Sequence, residues 1–105
     1  MPLKALMGGS GKRQVILSKE DPVSKQLHTM TRGVLPPGAV FDWHIHENID
    51  EFFYVLNGMG KISYEDKTEF GFKKGDLIYS PSNLSHRIEN TGTEDNEFFF
   101  IRLNH

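Results

Sequence analysis

The chain has 105 residues, enough for one domain with its own core and too few for two domains of ordinary size. Its formal charge of -2, with Lys and Arg scattered among Asp and Glu, builds no basic stripe that could follow a phosphate backbone, which argues against a nucleic-acid partner. Cysteine is absent, so disulfides and thiolate ligands are excluded, and any transition-metal site must be assembled from His and carboxylates.

The opening residues, Met1 to Gly11, hold no apolar run of the signal-peptide kind, and nowhere do about 18 consecutive apolar residues appear that could cross a bilayer. The expectation is a soluble cytoplasmic protein without a membrane partner, one domain over 1–105, with 1–13 as an N-terminal extension. Met7-Gly8-Gly9-Ser10-Gly11-Lys12 invites a phosphate-loop reading, but Arg13 follows the lysine and Leu6 stands where the first glycine of that motif belongs. A glycine turn leading into a strand over 14–17 is the reading kept.

Asp21-Pro22 marks a turn, and 25–35, rich in Thr, Met, Leu and Val, reads as a strand ended by Pro36-Pro37-Gly38. Over 39–45 apolar and polar residues partly alternate, the two-residue period of a strand. That parity puts Asp42, His44 and His46 on one face and Phe41, Trp43 and Ile45 on the other. A loop over 47–50 leads to Glu51-Phe52-Phe53-Tyr54-Val55-Leu56, which is apolar on both faces after its first residue and should be covered on both. Phe53 and Val55 share the face of Glu51. Phe52, Tyr54 and Leu56 share the other, which a homodimer packing sheet on sheet would cover.

Asn57-Gly58 is a strong hairpin signal. Strands follow over 61–64, 69–72, 77–79, 86–89 and 97–103, separated by turns at 65–67 and 74–75 and by a polar loop over 91–96. About nine or ten short strands at near-regular spacing, with no helical pattern, describe an all-β sandwich or barrel.

Two imidazoles at i and i+2 of a strand leave the same face, so His44 and His46 can present two nitrogens to one ion. The pair is framed by glycines and a carboxylate: from Gly38 to Gly58 the sequence runs G-x5-H-x-H-x4-E-x6-G, and from Gly75 to Asn90 it runs G-x5-P-x-N-x2-H-x3-N. These blocks, at 38–58 and 75–90, resemble the two signature motifs of the cupin superfamily. The resemblance implies a single-domain jelly-roll β-barrel with a metal inside it, held by His44, His46, Glu51 and His86. It implies turn roles for Gly38, Gly58, Gly75 and Pro81 and a structural role for Asn90. Asn83 stands where the second motif usually has Gly, and Asn is among the few residues that tolerate positive φ. Glu47 and Asp50 are rival carboxylates, and motif position favours Glu51. His28 and His105 fit no motif.

Three imidazoles and one carboxylate suit one divalent transition-metal ion, Mn, Fe, Co, Ni, Cu or Zn, and leave room in its coordination shell for a small-molecule substrate. Met30, Arg32 and Tyr79 lie on strands expected to border the pocket. Arg32 and Tyr79 are therefore candidate catalytic residues, one orienting an anionic substrate and the other exchanging a proton. Dioxygenase-type oxidation is the favoured reaction. The alternatives are a non-redox isomerase, epimerase, cyclase, lyase or decarboxylase, and a non-catalytic module binding a sugar or another small ligand.

Overall fold

A computed structural model of the chain describes residues 3–5, 12–18, 26–45 and 47–105. The glycine-rich segment at 7–11, the Asp21-Pro22 turn and His46 lie outside the described residues. Among the described residues every regular element is a strand: β1 (Leu3–Ala5), β2 (Lys12–Ser18), β3 (Leu27–Leu35), β4 (Val40–His44), β5 (Ile49–Asn57), β6 (Met59–Tyr64), β7 (Glu69–Lys73), β8 (Leu77–Ser80), β9 (His86–Asn90) and β10 (Asn96–Asn104). They form two antiparallel sheets, one ordered β1-β2-β3-β10-β5-β8 and the other β4-β9-β6-β7. Part of the segment read as an extension joins the first sheet, because Leu3 pairs with Gln14 and Lys12 with Val34.

Turn chemistry accounts for the short connections. Gly38, Gly58 and Gly75 all take positive φ (76°, 85° and 96°), a region that costs other residues a steric penalty, and Asn83 takes 64°. Asn90 is buried, donates to the carbonyls of Leu35 (2.9 Å) and Glu94 (2.7 Å), and accepts from the Gly92 amide, so it ties the loop after β9 to the end of β3.

The sheets pack face to face on an aromatic core. Phe98 and Phe100 from β10, Phe53 from β5, Phe41 from β4 and Phe72 from β7 meet largely edge to face, with ring centroids 5.4–6.2 Å apart. Leu35, Val55, Ile62 and Ile88 complete the core and are fully buried. Glu51, Phe53 and Val55 point inward together, as their alternation requires. Tyr54, Leu77 and Tyr79 are exposed on the outer face of the large sheet, and Phe52 stacks on Tyr79 there at 5.0 Å.

β4 departs from simple alternation. Phe41 pairs with Ile88 and His44 with His86, so Asp42 and Trp43 together oppose Arg87 across a bulge. The extra residue puts both Phe41 and His44 inside. This corrects the expected parity: Phe41 is 3% exposed and packs against Phe98 and Phe100, whereas Asp42 is exposed and 3.7 Å from Arg87.

Candidate metal centre

Register builds the site as two facing rows at one end of the barrel. On the large sheet Thr29, Arg102, Glu51 and Ser80 stand directly opposite one another on β3, β10, β5 and β8. On the small sheet the row is His44, His86 and Tyr64, on β4, β9 and β6. One step deeper the large-sheet row is Thr31, Phe100, Phe53 and Ile78, so the polar rows rest on the aromatic core.

One ligand atom from each of His44, Glu51 and His86 lies within 4.8 Å of the others. Two ligands on opposite sides of one ion, each about 2.1 Å from it, would span roughly 4.2 Å, so closure needs only a small adjustment. Glu51 and His86 are each 1% exposed, with Glu51 Oε1 3.1 Å from His86 Nε2. The His44 and His86 rings meet edge to face at 4.3 Å. His44 Nδ1 is 2.9 Å from the carbonyl of Asp42; a carbonyl only accepts, which puts the proton on Nδ1 and the lone pair on Nε2, the atom that can ligate. Burial, and then the neighbouring His86, hold the His44 pKa below its ordinary value, which favours the neutral, ligating form.

Two side chains missed by sequence reasoning complete the site. Arg102 Nε donates to Glu51 Oε2 at 2.6 Å, forming an ion pair whose side chains are 9% and 1% exposed. Tyr64 borders His86, with ring centroids 6.4 Å apart, and its hydroxyl donates to the carbonyl of Tyr79 at 3.0 Å. Burial raises the Tyr64 pKa, which keeps the phenol protonated. The signal for Arg102 is alternation with Phe98 and Phe100, four and two residues earlier.

Arg32 and Tyr79 lie elsewhere, and that corrects their expected place beside the pocket. Arg32 alternates with the inward-facing Thr31 and Gly33, and it pairs with Glu97 at 3.0 Å on the outer face. Tyr79 also faces out and donates to Asp50 at 3.1 Å, while Ser80 beside it faces in. Met30, two residues from Arg32, shares its outer face. Of the rival carboxylates, Glu47 is exposed, and Asp50 is occupied by Tyr79, the Ser82 amide and His105. Those hydrogen bonds, led by that from His105, lower the Asp50 pKa.

Comparison with known proteins gives a consistent result. The family model described as "Cupin domain" matches residues 31–102. An "Oxalate-binding protein" from Thermotoga maritima is 35% identical over 98 residues, covering 91% of this chain and 79% of that protein. An "Oxalate decarboxylase" from Arthroderma benhamiae is 33% identical over 101 residues, which is 91% of this chain and only 23% of the relative's length. Among solved structures, one described as a predicted oxalate decarboxylase from Thermotoga maritima superposes with a TM-score of 0.86 at 32% identity, covering 97% of this chain and 89% of that one.

Proposed function

The chain belongs to the cupin family, and on that premise we propose that it holds one divalent transition-metal ion through His44, His46, Glu51 and His86 and uses it to bind a small carboxylate of the oxalate kind. The observation that carries this reading is the convergence of His44, Glu51 and His86 ligand atoms within 4.8 Å at the polar end of the barrel. His46 joins the set by its motif position. An all-nitrogen-and-oxygen set of this kind suits borderline ions with open positions rather than a closed structural zinc site. A bound ion of this class supplies Lewis acidity that holds and polarises a carboxylate oxygen.

The substrate class is argued from two sides. Two relatives more than 30% identical, each matched over 91% of the chain, are named for oxalate, and a buried guanidinium beside Glu51 makes this end of the barrel suitable for an anion. Dioxygenase-type oxidation has no comparable support. Decarboxylation of the bound anion is the second reading, favoured by the Arthroderma benhamiae relative, and release of formate from oxalate would add it to binding. The sequence-based homodimer also belongs to this proposal. The exposed Tyr54, Leu77 and Tyr79 support it, and light scattering that returns the mass of one chain at high concentration would overturn it.

The decisive experiment is elemental analysis of protein purified without a His tag, beside a His44→Ala, His46→Ala double variant checked for folding by circular dichroism. About one transition-metal ion per chain is expected in the parent and none in the folded variant. A parent that cannot be loaded with metal, or a variant that keeps a full complement, overturns the ligand set.

A further inference from the structure

Arg102 is a costly residue to bury. Its side chain is only 9% exposed, and it packs over the Phe100 ring with Cζ 5.6 Å from the centroid. A guanidinium carries five N–H donors in a fixed fork. Here Nε serves Glu51 at 2.6 Å, whereas Nη1 reaches the Thr29 hydroxyl only at 3.5 Å. Two further hydroxyls on the same inner face are buried without a hydrogen-bond partner among the described residues: Ser80 Oγ, directly opposite Glu51, and Thr31 Oγ1, one row deeper. Buried donors ordinarily find acceptors, so a cluster of unused ones beside a candidate metal centre points to an acceptor-rich ligand.

Charge leads the same way. Glu51 is the one carboxylate among the four proposed ligands, and Arg102 already neutralises it. A divalent ion held there would keep both of its charges uncompensated, and a dianion restores neutrality where a monoanion does not. The fork geometry of arginine matches a planar carboxylate, which a point-charge lysine does not.

We propose that Arg102, with Ser80 beside it, is the specificity-determining subsite of the barrel: it takes the second carboxylate of a small dicarboxylate and so separates dicarboxylates from monocarboxylates. This rests on the metal reading above and deepens it. Glu51 occupies one edge of the fork and thereby aims the remaining N–H groups, so one side chain serves both the ligand set and the anion.

The test uses the full chain loaded with Co2+, with cobalt counted before and after isothermal titration of oxalate, malonate or formate. The parent should bind oxalate more tightly than formate, and Arg102→Gln should lower that ratio by about tenfold or more while cobalt stays near one per chain. Arg102→Lys keeps the charge without the fork and should show a smaller loss in the same direction. It decides the question if Arg102→Gln fails to fold or to hold cobalt. A parent that takes up no cobalt overturns the metal reading and this inference with it. A cobalt-loaded parent without preference for oxalate, or variants that keep the parent's ratio, overturns the Arg102 subsite alone and leaves the metal reading standing.

Discussion

The two ends of the barrel interior are built to opposite rules on the same strands. At one end Phe53, Phe98 and Phe100 fill most of the space with interlocking apolar rings. At the other, one step further along the same β5 and β10, Glu51 is buried just as deeply and Arg102 nearly so, and the two are held by charge. Aromatic packing contributes stability in proportion to buried area, whereas a buried ion pair roughly breaks even against an apolar pair of equal size. The aromatic end therefore carries the fold, and the polar end has its chemistry to spare.

Three substitutions sharpen or break that division. Phe98→Ala should have the largest effect, about 4 kcal/mol lost in chemical denaturation, because the ring is fully buried and four other aromatic rings would face the cavity. A loss below about 1 kcal/mol would show that the core is not where stability resides. Glu51→Ala should cost about 3 kcal/mol by leaving the Arg102 guanidinium buried and uncompensated, and a Glu51→Leu, Arg102→Met double variant should recover most of it. If the double variant is as unstable as the single one, the pair itself holds the barrel and the contrast fails. Thr31→Val should have the smallest effect, a gain of up to about 1 kcal/mol, because it exchanges a buried hydroxyl without a partner among the described residues for a methyl of the same size. A clear loss would reveal that the hydroxyl serves an acceptor in solution.

The fold was legible because it is written in local signals. Two-residue alternation, Asn57-Gly58 and the turn glycines each act over a few residues, and Gly38, Gly58 and Gly75 do take the backbone conformation such turns need. The face of a residue is harder to read, since one inserted residue reverses it. The β4 bulge turned Phe41 inward and Asp42 outward, yet it still delivered His44 to the interior, because the parity count began from the histidines. The location of the pocket-bordering side chains is hard to read for a related reason. Arg32 and Tyr79 carry suitable chemistry on strands that do border the barrel, but Arg102 and Tyr64, of the same two residue types, occupy the inward positions. Choosing between them depends on which strands face each other across the barrel, a non-local fact; only the alternation of Phe98, Phe100 and Arg102 offered a clue.

Glu51 and His86 hang from different sheets, one on β5 and the other on β9, and they touch at 3.1 Å. In mechanical terms that contact is a clasp, closing the two halves of the shell at the end where aromatic filling stops, in a chain with no cysteine to do the same covalently. Tension along the clasp runs both ways: whatever tightens on these side chains draws the halves together, and whatever pries the halves apart loosens the grip by an equal free energy. An ion held by both side chains would couple its occupancy to the gap between the sheets, and a probe of the distance between β5 and β9 would then double as a gauge of what the barrel is holding.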